Sequence, residues 1–78
     1  MVGTPQVFFY YIMEIILNGE PLATSDGLTV LQLLVSLAVD PAKVAVELDR
    51  KILKSALWES TPLAAGAKLE IVHFVGGG

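Results

Sequence analysis

Residues 13–24 have the sequence MEIILNGEPLAT, which is typical of a β-hairpin. The apolar run over residues 13–17 predicts a strand that is buried in the core. Asn18-Gly19 follows at once, and this dipeptide is the strongest short hairpin signal because both turn positions need a positive φ. We therefore expect a second strand over about residues 20–24.

The segment after this hairpin predicts a helix. Thr29 and Gln32 have the spacing of a capping box, in which each side chain bonds to the other residue's backbone amide. The helix should run to about Ala38, and Asp40-Pro41 should end it. Because the segment is apolar on most sides, we expect the helix to lie deep against a sheet.

The remainder of the chain predicts three more strands. Residues 44–48 and 51–53 flank a tight turn at Asp49-Arg50, and residues 55–59 have the pattern of one helical turn. Residues 68–75 form the last predicted strand, with its apolar and charged side chains on opposite faces. This order indicates an α+β domain with a mixed sheet of four to five strands and one main helix on one face.

The ubiquitin-like β-grasp is the known architecture with this order of elements. In that fold the last strand lies centrally in the sheet, so the residues after it leave the body as a free arm. We accordingly divide the chain into an N-terminal extension or lengthened first strand (residues 1–12), a β-grasp domain (residues 13–75) and a flexible glycine tail (residues 76–78).

Composition and charge exclude several classes of function. The 78 residues include no cysteine, which rules out disulfides and thiolate metal sites and fits a reducing, cytoplasmic setting. Five basic residues stand against eight acidic ones, so no basic stripe is available to bind nucleic acid. The apolar run over residues 7–17 is shorter than the roughly 20 residues of a membrane span, and Glu14 interrupts it. We expect neither a membrane anchor nor a signal peptide.

Catalytic side chains are scarce. His73 is the one histidine, and its neighbours Val72 and Phe74 are apolar, so a hydrolytic triad or a metal site has no second member. We interpret His73 as a structural or surface residue. Trp58 is interpreted as an anchor in the core or at its rim.

The glycine tail is the remaining feature. Most chain ends are frayed and have no function. Here, however, the glycines follow directly on an apolar strand, and we expect Gly78 to have a free α-carboxylate. Such a carboxylate becomes reactive when AMP is transferred to it from ATP. Glycines have no side chain and can therefore pass through a narrow channel into another enzyme's active site.

Several segments closely resemble the thiamine-biosynthesis sulfur carrier proteins. They are LEIVHFVGGG (69–78), MEIILNGE (13–20), LTVLQLL (28–34) and VAVEL (44–48), followed by KIL (51–53) and Trp58. The resemblance covers about residues 13–78. Two departures are visible. Ala65-Gly66-Ala67 stands where the family commonly has a Gly-Asp turn, and residues 1–12 have no family counterpart.

The resemblance implies a function for the tail. An adenylating, E1-like activating enzyme uses ATP to adenylate Gly78, and a sulfur-relay enzyme then converts the adenylate to a thiocarboxylate. Thiazole synthase takes the sulfur. Gly76 and Gly77 form the threading arm, while Val75 and Phe74 help to dock the partners. The domain itself is then a protein co-substrate, with no bound cofactor, no metal and no catalytic activity of its own.

Three alternatives stay open at this point. The small subunit of molybdopterin synthase shares the fold, the Gly-Gly end and the thiocarboxylate, although the VGGG ending after IVHF favours the thiamine branch. A ubiquitin-like modifier would be joined through Gly78 to lysines of target proteins. A plain interaction domain would have a tail without function.

Overall fold

The computed structural model describes residues 12–74. The expectations for residues 1–11, and those for Val75, Gly76, Gly77 and Gly78, lie outside the described residues. The elements in chain order are β1 (Ile12–Leu17), β2 (Glu20–Ser25), α1 (Val30–Ser36), β3 (Val44–Leu48), β4 (Lys51–Leu53) and β5 (Lys68–His73). Two short 3-10 helices, Pro41–Lys43 and Ser55–Leu57, lie between them.

The strands form one sheet with the order β2-β1-β5-β3-β4. β1 is parallel to β5, and every other neighbouring pair is antiparallel. Two hairpins therefore flank the last strand, which lies at the centre of the sheet. The predicted α+β class, the mixed sheet and the β-grasp architecture are confirmed.

Both predicted tight turns are present. Asn18 and Gly19 have φ values of 49° and 83°, and Asp49 and Arg50 have φ values of 50° and 70°. Two consecutive positive φ values are the signature of the type I′ turn, whose twist matches that of the flanking strands. Each hairpin therefore closes over two residues, and this fixes its register.

The predicted capping box is confirmed. The Gln32 backbone N–H donates to Thr29 Oγ1 at 3.1 Å, and the Thr29 N–H donates to Gln32 Oε1 at 2.9 Å. These two bonds satisfy backbone donors that the first turn of a helix leaves without partners. The beginning of α1 is thus determined by local sequence.

The predicted end of the helix at Ala38 is wrong. The helix ends at Ser36, and Ala38 takes a positive φ of 58°. The Val39 N–H then donates to the Leu34 carbonyl at 3.0 Å. This is the 6→1 bond of a Schellman motif, which stops a helix by reversing the hand of one residue. That residue is usually glycine, so an alanine there gives no signal in the sequence.

The core lies between α1 and one face of the sheet. Val30, Leu33 and Leu34 are the buried residues of α1, whereas Val35 is 66% exposed. The expectation of a deeply buried helix therefore holds for one face only. The other buried apolar residues come from the strands and the loops, and they are Met13, Ile15, Val44, Val46, Trp58, Leu63, Ala67, Leu69 and Ile71.

Trp58 anchors the loop side of the core, as predicted. Its side chain is 4% exposed, and Nε1 donates to the Leu53 carbonyl at 2.9 Å. The bond satisfies the indole N–H, which is costly to bury without a partner. The predicted helical turn over residues 55–59 is the shorter 3-10 helix Ser55–Leu57. Among residues 12–74, no helix has the length and apolar character that crossing a membrane requires.

Candidate functional site

The candidate site is the end of β5, from which the chain continues towards the glycine tail. Leu69 and Ile71 point into the core, whereas Val72, His73 and Phe74 are exposed. The sequence predicts a strand that reaches residue 75, but the regular pairing of β5 ends at His73. The buried side chains anchor the strand, so the residues that follow start from a fixed point.

One edge of β5 is held by β3 from Leu69 to His73. The paired residues run from Leu48 opposite Leu69 to Val44 opposite His73. The Phe74 N–H adds a further bond to the Lys43 carbonyl at 2.9 Å. On this side the backbone is held as far as the last described residue.

The other edge of β5 is held by β1 only at its start. The parallel pairing consists of Ile16 with Lys68 and Leu17 with Leu69, after which the chain turns away at Asn18. The Asn18 N–H donates to the Leu69 carbonyl at 2.8 Å. Beyond this bond no backbone of β1 reaches β5.

The Asn18 side chain takes the place of the missing strand. Its Oδ1 accepts the Ile71 N–H at 2.8 Å, and its Nδ2 donates to the Ile71 carbonyl at 3.3 Å. A side-chain amide has the same donor and acceptor pair as a peptide group. One residue of the turn therefore extends the β1–β5 pairing by one further residue of β5.

The described residues contain no catalytic constellation. His73 is exposed, in agreement with its interpretation as a surface residue. Within residues 12–74, no three His, Cys, Asp or Glu side chains are placed to hold a metal ion. What this region presents is a segment of extended backbone, with exposed Val72 and Phe74 beside it.

Of the predicted site residues, the structure places Phe74 at the exit of β5, and its side chain is 64% exposed. Val75, Gly76, Gly77 and Gly78 lie outside the described residues. Two groups at the site were missed from the sequence, namely the Asn18 side chain and the Lys43 carbonyl. Asn18 was identified only as a turn residue, because its partner lies 53 positions away in the sequence.

Comparison with known proteins shows the family. Residues 9–78 match the model of the ThiS family, a match that includes β5 and the glycine tail. The chain belongs to the ThiS family. The resemblance to the thiamine-biosynthesis sulfur carriers is thereby confirmed over all the segments that suggested it.

A solved structure agrees with this assignment. The crystal structure of the thiamine biosynthesis protein ThiS from Geobacter metallireducens matches with a TM-score of 0.75 and 32% sequence identity. The match covers 85% of this chain and 100% of that one. A ThiS protein of solved structure therefore has the β-grasp fold found here.

Other relatives of this ThiS-family chain include much longer proteins. It is 42% identical over 66 residues to the thiazole synthase of Paramagnetospirillum magneticum and 39% identical over 66 residues to that of Magnetococcus marinus. Each match covers 85% of this chain and 20% of the relative, so the chain spans about a fifth of the length of these thiazole synthases. It also covers 93% of the uncharacterized protein ycf40 of Pyropia yezoensis, at 39% identity.

Proposed function

We propose that this chain is a sulfur carrier of thiamine biosynthesis and that Gly78 is the residue that carries the sulfur. The observation that carries the proposal is the ThiS-family match over residues 9–78, which extends through the glycine tail. The position of β5 supports it, because the central strand of a packed sheet leads directly to the tail. In this proposal the body is a protein co-substrate and the chemistry belongs to its partners.

The proposed chemistry takes place at one carboxylate. An oxygen of the Gly78 carboxylate attacks the α-phosphorus of ATP on an E1-like activating enzyme, and pyrophosphate leaves. Sulfur at the oxidation level of sulfide, delivered by a sulfur-relay enzyme, then displaces AMP from the acyl carbon, and a thiocarboxylate results. The chain contributes access and positioning, because a terminal acyl group must enter the active site of each partner in turn.

The final acceptor in this proposal is thiazole synthase. Support comes from the relatives described as thiazole synthases, in which a segment similar to this chain makes up 20% of the protein. A carrier-like segment and a thiazole synthase in one polypeptide are held together at high effective concentration, which favours a working contact between the two.

We further propose that the partners dock around the exit of β5. Gly76 and Gly77 thread into the active site, and Val75 and Phe74 contact its rim. Exposed Val72 adds apolar area beside them.

Nearby, Glu47 and Glu70 lie directly opposite each other across β3 and β5. Like charges in such a pair repel, and a basic group of a partner would relieve that repulsion.

The experiment that tests the proposal follows the mass of the intact chain. We expect incubation with the activating enzyme, ATP and a sulfur donor to add the mass of one oxygen-to-sulfur exchange, located at Gly78. Deletion of Gly78 should abolish the gain and leave thermal unfolding unchanged, because the tail lies beyond the packed strand. Sulfur uptake by the shortened chain would contradict the proposal.

A further inference from the structure

The two edges of β5 are held by different means near the tail. On the β3 side, backbone pairing continues to His73 and the bond to Lys43 reaches Phe74. On the β1 side, backbone pairing stops at Leu69. The bonds between the Asn18 side chain and Ile71 are therefore what hold the second edge at the level from which the strand leaves the body.

The turn fixes the Asn18 side chain in place. A positive φ of 49° at Asn18 is a conformation that asparagine tolerates better than most residues. The Asn18 backbone N–H donates to the Leu69 carbonyl, so the backbone of Asn18 is bonded to β5 two residues before Ile71, the partner of its side chain. The Asn18 side chain therefore loses little conformational entropy when it bonds to Ile71.

Loss of the two bonds between the Asn18 side chain and Ile71 would leave the last part of β5 as an edge strand. A strand that is bonded along one side only opens locally more often than a strand bonded on both sides. Ile71 precedes Phe74 by three residues and Gly78 by seven, so opening at Ile71 changes the direction in which β5 leads towards the tail. A tail that samples more directions loses more conformational entropy when it docks.

We propose that Asn18 is a positioning residue for sulfur loading, and that its side chain directs the glycine tail by bonding to Ile71. The inference rests on the proposed function, because it concerns the entry of the tail into the activating enzyme. It assigns Asn18 a role separate from that of a turn former. The turn needs only a positive φ, whereas the two bonds to Ile71 need the amide side chain.

Two variants separate these roles. Asn18→Gly keeps a residue that favours a positive φ but removes both bonds to Ile71. Asn18→Asp keeps an acceptor for the Ile71 N–H and loses the donor to the Ile71 carbonyl. Both variants should retain the fold, because glycine and aspartate are accepted at this turn position.

The matched control is Asp49→Gly in the other tight turn. Asp49 Oδ1 accepts the Lys68 N–H at 3.0 Å, so Asp49 also bonds to β5 through its side chain. Lys68 is the first residue of β5 and lies away from the tail. This control loses one side-chain bond to a backbone N–H of the same strand and keeps a residue that favours a positive φ at the turn.

The first readout is amide hydrogen exchange. Asn18→Gly should speed exchange at Ile71 by about fivefold, the factor that corresponds to losing the one bond that the Ile71 N–H makes to Asn18 Oδ1. Asn18→Asp should give a smaller increase at Ile71. Asp49→Gly should speed exchange at Lys68 and leave Ile71 unchanged.

The second readout is ATP-dependent pyrophosphate release by the activating enzyme, measured against the concentration of the carrier chain. Asn18→Gly should raise KM by about fivefold and leave kcat unchanged, because the docked tail has the same geometry in both proteins. Asp49→Gly should match the wild-type chain in both constants. If Asn18 had a purely structural role, Asn18→Gly and Asp49→Gly would change KM by the same factor.

The outcomes are distinct. If the wild-type chain supports pyrophosphate release and Asn18→Gly has the wild-type KM, the inference is overturned and the proposed function stands. An equal rise in KM for Asn18→Gly and Asp49→Gly also overturns it. If the wild-type chain releases no pyrophosphate, the proposed function fails and the inference fails with it.

Discussion

The two tight turns of the sheet, Asn18-Gly19 and Asp49-Arg50, are alike in backbone and different in what they hold. Both have positive φ at each position, and in both the first residue bonds to β5 through its side chain. β1 runs parallel to β5 and β3 runs antiparallel to it. The first turn therefore meets β5 near its end, and the second turn meets it at its start.

The comparison shows that one type of turn can have two different roles, depending on whether the strand that precedes it runs parallel or antiparallel to β5. At Lys68, β1 lies beside β5 on one side, and on the other side the Asp49 backbone N–H already donates to the Lys68 carbonyl at 2.7 Å, so the Asp49 side-chain bond reinforces a region that is already paired. At Ile71 only β3 lies alongside, and the Asn18 side chain supplies the other edge. The first turn serves the exit towards the tail, and the second serves the stability of the body.

The largest expected effect comes from the residue that both hairpins share. Leu69 is 1% exposed and pairs with Leu17 on one side and Leu48 on the other. Leu69→Ala leaves a cavity beneath both turns and should lower the free energy of unfolding by about 2–5 kcal/mol. Urea denaturation measures this loss.

The control for this variant lies on the same strand. Val72 is 52% exposed, and truncation of Val72 to alanine should change the free energy of unfolding by less than about 1 kcal/mol. Equal losses for the two variants would mean that β5 is not anchored by its buried face. β5 would then not give the residues that follow it a fixed starting point.

A smaller effect separates the second positions of the two turns. Gly19 has a φ of 83°, and a Cβ added there would meet no atom within 4 Å, so Gly19→Ala should cost only backbone strain, about 1–2 kcal/mol. Arg50 bears that strain already at a φ of 70°, so Arg50→Gly should raise the free energy of unfolding by up to about 1 kcal/mol. Thermal unfolding of the two variants should therefore shift in opposite directions. Shifts of the same sign would show that the turns are not equivalent in backbone.

The features predicted correctly from the sequence are those with local causes. The hairpin at Asn18-Gly19 and the capping box of Thr29 with Gln32 depend on residues at most three positions apart. The strand bounds follow from apolar runs and agree with the structure at most ends, and the remaining ends differ by one or two residues. The central position of β5 came from the resemblance to the β-grasp fold, since local patterns do not state which strands are neighbours.

The features missed depend on distant or unusual partners. Asn18 and Ile71 are 53 positions apart in the sequence, so no local pattern predicts the bond between them. The helix end was placed too late because Ala38 adopts the left-handed conformation that glycine usually supplies. At the candidate site, sequence reasoning found the tail and Phe74 but not the bonds that hold the strand leading to them.

The most direct test of Gly78 as the sulfur-bearing residue is the intact mass of this protein isolated from its native host, followed by fragmentation at its C-terminus. We predict that a fraction of the molecules has one oxygen replaced by sulfur at Gly78. Gly78 found joined to lysine side chains of other proteins, or never bearing sulfur while thiamine is being made, would contradict it.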